Sequence, residues 1–205
     1  MHLKIAMIDF RDKHVLCVAP HTDDEIACAG LLYEAKQQQA SVIVMALSPC
    51  GLRELEGEFY SSCEAIGATG VLHFLEHRTF PENRQRVLDA LRPAGKEPDV
   101  VLCPHSADVH QDHKTVRAEC VRAFDTAQIL SWEPITRPDP TAALRLNYYK
   151  NISQAAVDFK VALWGIYKSQ HHRPKNSPAL IRAQAEYRGA QLCPGMLAEA
   201  YEVVR

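Results

Sequence analysis

The feature that most constrains this chain is an apolar run at residues 15–19 that ends on a dense group of polar side chains. The run reads Val-Leu-Cys-Val-Ala, which is typical of a strand buried on both faces of a sheet. An imidazole, a hydroxyl and three carboxylates follow within a few positions: His21, Thr22, Asp23, Asp24 and Glu25. Because carboxylates this close repel one another unless they share a proton or a cation, the stretch predicts a metal site at a strand end.

A second polar cluster follows another apolar run, at residues 100–102. It carries three histidines and two aspartates: His105, Asp108, His110, Asp112 and His113. If the two apolar runs are neighbouring parallel strands, their carboxyl ends share one edge of the sheet and the two clusters meet in one crevice. This pairing is our central structural expectation.

Strand and helix patterns alternate along the chain. We predict strands at 15–19, 41–47, 71–75 and 99–103, and helices at 24–39, 54–66, 82–92 and 111–127. In the last third, 129–132 and 144–149 resemble strands, and 153–169 and 178–189 resemble helices. The alternation predicts a single-domain, three-layer α/β/α fold over residues 1–205, Rossmann-like and with a mainly parallel sheet.

Composition narrows the function. A chain of 205 residues can bury a full core without disulfides, and its seven scattered cysteines include no Cys-x-x-Cys pair, which is typical of reduced thiols. A net charge of −2 argues against a nucleic-acid-binding or membrane-surface protein. We find no leader and no membrane-length apolar run, so we expect a cytoplasmic protein without a membrane span. The sequence leaves the oligomeric state open, a homo-oligomer included.

The first cluster can be interpreted as part of a metal site or as the cap of the helix that follows it. A catalytic zinc usually takes three protein ligands, and His21 with one of the adjacent carboxylates supplies two of them. The second cluster offers candidates for the third, and spacing alone gives no unique assignment. The alternative is that these side chains only cap the helix that follows the strand. Two such clusters, each after a predicted strand, favour the metal site.

The motifs also resemble those of a known family. Pro-His-Thr-Asp-Asp-Glu at residues 20–25 and His-Gln-Asp-His at residues 110–113 look like the two motifs of the LmbE-like or PIG-L zinc-dependent N-deacetylases, which read Ala-His-Pro-Asp-Asp-Glu and His-x-Asp-His. The resemblance extends to the helix that ends at Ile66-Gly67, to Lys168-Ser169-Gln170 and to Glu199. No Gly-rich dinucleotide loop follows the first strand, which argues against a nicotinamide cofactor.

The resemblance implies roles for six residues. His21, Asp24 and His113 would bind one Zn²⁺ per chain, although such a ligand set discriminates weakly against other divalent metals. Asp23 would be the general base that acts on the metal-bound water. His110 would be protonated, to stabilise the oxyanion or protonate the leaving amine, and Asp112 would orient a histidine of the second cluster.

Substrate contacts are less well defined. The family often has an arginine three residues before a helix glutamate, and here that position is Leu55. Arg53 or Arg78 would take its place, the alternative being that both arginines simply lie on the surface. Asp108 would line the pocket, with loop capping as its alternative.

The predicted function is removal of an N-acetyl or other N-acyl group from an amino sugar or small sugar conjugate. The sugar rests on the resemblance alone. One alternative is another metal hydrolase on the same fold, such as an amidase for non-sugar N-acyl substrates. A second is a non-catalytic module that keeps the metal for structure.

Overall fold

The computed structural model describes residues 8–92, 97–134, 138–172 and 177–205. Both predicted apolar runs form strands in it. They are β1 (His14–His21), β2 (Ser41–Ser48), β3 (Thr69–Leu72), β4 (Val100–Pro104), β5 (Gln128–Trp132), β6 (Tyr148–Asn151) and β7 (Ala198–Val203). The helices in these ranges are α1 (Ala29–Gln37), α2 (Arg53–Ile66), α3 (Arg84–Leu91), α4 (Gln111–Ala123), α5 (Gln154–Ile166) and α6 (Pro178–Ala190).

The described strands form one sheet in the order β3-β2-β1-β4-β5-β7-β6. The first five in this order are parallel, with Cys17 of β1 opposite Val44 of β2 and Leu102 of β4. Among the described strands, only β7 runs antiparallel to both of its neighbours, β5 and β6. The predicted mainly parallel sheet is confirmed, and so is the pairing of the two apolar runs.

The strand order places a crevice beside β1. From β1 the chain moves outward through β2 to β3, then returns to the other side of β1 to form β4 and β5. Loops leaving the carboxyl ends of β1 and β4 therefore diverge to opposite sides of the sheet, and such switch points are where open α/β sheets bind ligands. Both polar clusters lie at this edge.

Alternate residues of the central strands build two cores. Val15, Cys17 and Ala19 of β1 pack on one face with α1, α2 and α5. Leu16 and Val18 pack on the other face with α3 and α4. Because both faces of the parallel strands are covered, their sequences read as continuous apolar runs. No helix in the described part of the chain is long and apolar enough to cross a bilayer.

The structure corrects several predicted element boundaries. The helix predicted from residue 24 begins as a 3-10 turn, Asp24–Cys28, and becomes α-helical only at Ala29. The strand predicted at 71–75 is β3, Thr69–Leu72, and the one predicted at 144–149 is β6, Tyr148–Asn151. Strand β7 was not predicted.

The buried carboxylate of Glu199 joins β7 to α1 by hydrogen bonds and to α5 by an ion pair. The carboxylate of Glu199 accepts hydrogen bonds from the main-chain N–H groups of Gly30 (3.0 Å) and Leu31 (2.8 Å), at the start of α1. It also accepts one from Lys160 Nζ at 2.6 Å, and Lys160 in turn donates to the carbonyl of Ala27. A negative charge is favourable at a helix N-terminus, so Glu199 fixes the helix that follows the first cluster.

Candidate functional site

The three predicted metal ligands meet at the carboxyl ends of β1 and β4. His21 is the last residue of β1, Asp24 begins the 3-10 turn, and His113 lies in the first turn of α4. His21 Nδ1 and Asp24 Oδ2 are 3.3 Å apart, His113 Nε2 and Asp24 Oδ2 are 3.2 Å apart, and the two imidazole nitrogens are 3.4 Å apart. The three atoms form a nearly equilateral triangle.

This triangle suits a zinc ion. Tetrahedral bonds of about 2.0–2.1 Å would separate neighbouring ligand atoms by about 3.3 Å. The donors are two imidazole nitrogens and one carboxylate oxygen, which leaves a fourth position for water. A second group, His21, His110 and Asp112, also has ligand atoms within 4.8 Å of one another. There, however, His21 Nε2 lies only 2.9 Å from Asp112 Oδ2, which is a direct hydrogen bond, so we place the candidate metal in the first group.

Each candidate histidine ligand is held by a further carboxylate. His21 Nε2–H donates to Asp112 Oδ2, and His113 Nδ1–H donates to Asp108 Oδ2 at 2.8 Å. With a metal bound, these bonds would fix the tautomers in which the lone pairs of His21 Nδ1 and His113 Nε2 face the metal position beside Asp24. Carboxylates behind metal-binding histidines commonly orient the ring and raise its basicity. The donor set therefore fits a divalent metal such as zinc.

In the absence of a metal ion, protons on the imidazoles balance the negative charge of Asp24. Burial opposes protonation of His113, but the charge of Asp24 and the hydrogen bond to Asp108 outweigh it and raise the pKa of His113 to about 10. Burial likewise raises the pKa of the Asp24 carboxyl, yet the two imidazoles bring it well below its usual range. In the metal-free chain the imidazole protons therefore offset the charge of Asp24, and a cation shared by the carboxylates of the first cluster stays a prediction.

His110 lies against the two histidines of the triangle. Burial, together with the positive charge of His21 and His113, lowers the pKa of His110 to about 4. A pKa of about 4 favours the neutral imidazole in the metal-free chain, and the protonated His110 that the family resemblance implies stays a prediction for the metal-bound enzyme. The cause of the low pKa is local, since the ring centroid of His110 lies 4.9 Å from that of each neighbouring imidazole.

The sequence profile of the family described as PIG-L: GlcNAc-PI de-N-acetylase matches residues 16–124, more than half of the chain. The matched segment contains all three corners of the triangle. The chain belongs to the PIG-L family. A search of curated protein sequences found no match.

Solved structures show how widely the fold of this PIG-L chain occurs. The conserved protein TT1542 from Thermus thermophilus is 26% identical, with a TM-score of 0.76 over 97% of this chain and 95% of that one. An N,N'-diacetylchitobiose deacetylase from Pyrococcus horikoshii is 16% identical, with a TM-score of 0.74 over 94% and 84%. GalB, the 4-carboxy-2-hydroxymuconate hydratase from Pseudomonas putida, is 17% identical, with a TM-score of 0.73 over 94% and 96%. The shared fold therefore does not fix the reaction.

The two aspartates of the second PIG-L motif region have positions that the sequence did not predict. Asp112 was expected to orient a histidine of its own cluster, but its carboxylate binds His21 of the first cluster instead. Asp108 was expected to line the substrate pocket. Both of its oxygens are engaged inside the site, Oδ2 by His113 and Oδ1 by the main-chain N–H of His110 at 2.8 Å. Loop capping, the alternative for Asp108, matches the second contact.

The predicted base is buried, whereas the two predicted substrate-binding arginines are exposed. Asp23 precedes the 3-10 turn in a left-handed conformation, with φ of 90°, and is almost fully buried. Arg53 begins α2 and is exposed, while Leu55, at the family's arginine position, packs in the core. The side chain of Arg78 is also exposed, but its main chain binds Asp112.

From the loop between β3 and α3, residues 73–83, sequence reasoning considered only the side chain of Arg78 and missed the main chain as a part of the site. The main-chain N–H groups of Arg78 and Phe80 donate to Asp112 at 2.6 and 3.3 Å. Phe80 is fully buried, and its ring centroid lies 6.0 Å from that of His21. Main-chain donors leave no residue-type signal in a sequence, so only the folded chain reveals them.

Proposed function

We propose that this chain is a metal-dependent hydrolase that removes an N-acyl group, most simply acetyl, from an amino sugar or a small sugar conjugate. The observation that carries the proposal is the triangle of His21 Nδ1, Asp24 Oδ2 and His113 Nε2, with mutual distances of 3.2–3.4 Å. Membership of the PIG-L family and the fold shared with deacetylases support the reaction and the sugar. Zinc is the proposed metal, with other divalent ions as substitutes.

A zinc ion held by the three ligands would polarise the amide carbonyl and bring the pKa of a bound water to about 7. The chain itself has to orient these ligands, and the bonds from His21 to Asp112 and from His113 to Asp108 do so. Since each imidazole keeps one nitrogen for a carboxylate and one for the triangle, neither ring can rotate without losing a charge-assisted hydrogen bond.

Proton transfer falls to Asp23 and His110. Asp23 is the carboxylate next in sequence to the ligand Asp24, and we assign it the proton of the attacking water. His110 is the remaining imidazole at the site, and we assign it the delivery of a proton to the leaving amine. Because its pKa of about 4 leaves it neutral at pH 7 in the metal-free chain, His110 would have to gain that proton during the reaction, and the proton that Asp23 takes from the attacking water is its source.

The test combines metal analysis with amine release. The wild-type chain is expected to hold about one zinc and to release amine from N-acetyl amino sugars. His113→Ala removes one corner of the triangle and is expected to lose both the metal and the activity, because two ligands seldom hold a catalytic zinc. His172→Ala, which changes an exposed histidine, is the matched control and should behave as the wild type.

The substrate panel separates the alternatives. N-acetyl amino acids are included beside the N-acetyl sugars, and release from the amino acids alone would favour the non-sugar amidase. Bound metal with no release from any N-acyl compound would favour the non-catalytic module. Absence of metal from the wild type, even after zinc is supplied, would contradict the proposed function altogether.

A further inference from the structure

The carboxylate of Asp112 is held from three directions. It is fully buried, and its Oδ2 accepts the His21 Nε2–H at 2.9 Å and the Arg78 main-chain N–H at 2.6 Å. Its Oδ1 accepts the main-chain N–H of Phe80 at 3.3 Å. Two of these three donors come from the β3–α3 loop, residues 73–83, which contains none of the proposed metal ligands. The orientation of His21 therefore depends on the position of this loop.

The β3–α3 loop reaches Asp112 through an unusual backbone conformation. Arg78 has φ of +67°, in the left-handed region that residues other than glycine, asparagine and aspartate seldom adopt. Such a conformation persists only where surrounding contacts fix it. Two residues after Arg78, the buried side chain of Phe80 anchors the loop. Within the loop, Thr79 Oγ1 donates to the carbonyl of Glu76 at 2.8 Å, and Asn83 Nδ2 donates to the carbonyl of Thr79 at 2.9 Å.

Besides Asp112, a second side chain outside the loop binds the main chain of Arg78. Gln111 is the first residue of α4, and its Nε2 donates to the carbonyl oxygen of Arg78. The peptide units on both sides of Arg78 are thus bound by consecutive residues of α4, the N–H by Asp112 and the carbonyl by Gln111. Together they determine the left-handed conformation at Arg78.

We propose that Gln111 is a positioning residue for the candidate metal centre, because it holds the β3–α3 loop whose main-chain N–H groups fix Asp112 against His21. The inference rests on the proposed function, since it concerns the same metal. It also gives Arg78 a role that depends on its backbone conformation, whereas the sequence analysis considered only its side chain for substrate binding.

Two substitutions of Arg78 distinguish a role of its backbone conformation from a role of its charged side chain. Arg78→Asn removes the charge but tolerates the left-handed conformation, so zinc affinity should stay within about twofold of the wild type. Arg78→Val also removes the charge, but a β-branched side chain disfavours positive φ, so zinc affinity should fall about tenfold. Gln111→Ala removes one hydrogen bond and should weaken zinc binding about fivefold. In the Arg78→Val background Gln111→Ala should add little, because both act through one contact.

The experiment measures zinc affinity of the full chain by competition with a chromogenic chelator, together with the urea midpoint of each apo-protein. Gln85→Ala is the matched control: Gln85 is an exposed glutamine in the first turn of α3, where it donates to Asp89 at 2.7 Å, and its loss should not change zinc affinity. A merely structural role for Gln111 would lower the urea midpoint and leave zinc affinity unchanged.

The outcomes separate the two claims. If the wild type binds no zinc, the proposed function fails. If the wild type binds zinc and Gln111→Ala binds it equally well, the inference alone is wrong. If Gln111→Ala does not fold, the Arg78 pair decides: equal affinity of Arg78→Asn and Arg78→Val overturns the inference, and a selective loss in Arg78→Val supports it.

Discussion

At the scale of single residues, Asp108 links the loop after β4 to the candidate metal centre. Its carboxylate lies between the His113 ring and the main-chain N–H of His110. We expect Asp108→Asn to weaken zinc binding at least tenfold, since the negative charge that raises the basicity of His113 is lost. Chelator competition measures this. Asp125→Asn, at a side chain that is 88% exposed, is the control and should have no effect.

The same variant tests the earlier interpretation of Asp108. If this residue contacts substrate, as the sequence suggested, Asp108→Asn should raise KM for an N-acetyl amino sugar and leave zinc affinity as it is. A fall in zinc affinity without that pattern would assign Asp108 to the metal centre.

Much of the candidate site could be predicted from the types of its residues. The chemistry of His21, Asp24 and His113 is recognisable in the sequence, and the structure brings these three together. What the sequence could not supply is which carboxylate binds which imidazole. The bond from Asp112 to His21 joins residues 91 positions apart, and it depends on the pairing of β1 with β4 and on side-chain rotamers.

At the scale of elements, the approach of α6 to the segment before β7 depends on one glycine. A Cβ at Gly189 would lie 1.9 Å from the carbonyl oxygen of Met196 and 2.6 Å from Leu197 Cα. Because both are main-chain atoms, Gly189→Ala should force the helix and the segment apart and lower the free energy of unfolding by about 3 kcal/mol. Urea denaturation measures the change.

Gly165→Ala is the matched control for this prediction. Gly165 lies in α5, and a Cβ at this position would meet no heavy atom of the described neighbouring residues within 4 Å. Alanine should therefore raise stability by about 0.5 kcal/mol through its higher helix propensity. Equal and small effects of the two substitutions would show that α6 and the segment before β7 separate easily.

Element prediction succeeded where hydrophobic patterns were strong. The runs that became β1, β2 and β4 are apolar because both of their faces are covered. Strand β7 was missed because Ala-Glu-Ala-Tyr-Glu-Val contains two glutamates and its alternation of apolar and polar residues is interrupted between Ala200 and Tyr201. The burial of Glu199 becomes understandable only with Lys160 and the start of α1 in place, and these contacts are not visible in the local sequence.

At the scale of the whole molecule, the two cores on opposite faces of the sheet do not include the metal triangle. We therefore expect chelation of the metal to leave the circular dichroism spectrum unchanged. Metal present at about a thousand times its Kd stabilises a folded protein by about 4 kcal/mol, so its removal should lower Tm by about 10 °C. Loss of the helical signal on chelation would instead indicate a metal held for structure.

The architecture followed from the alternation of strand and helix patterns, which predicted the parallel sheet and its helices on both faces. The antiparallel end of the sheet, β7 and β6, lay beyond that rule. Its strands are short or carry charges, and their places are set by tertiary contacts such as the pairing of Tyr148 with Tyr201.

The contact between Glu199 and the start of α1 also sets an order of events during synthesis. Glu199 is 169 residues beyond Gly30 in the chain, so a ribosome adding 5–20 residues per second needs roughly 10–30 s to make it after α1 has been made. During that interval the N–H groups of Gly30 and Leu31 lack the carboxylate that later binds them. The helix next to the first histidine-aspartate motif is therefore completed late, and cellular factors that hold nascent chains have time to meet it.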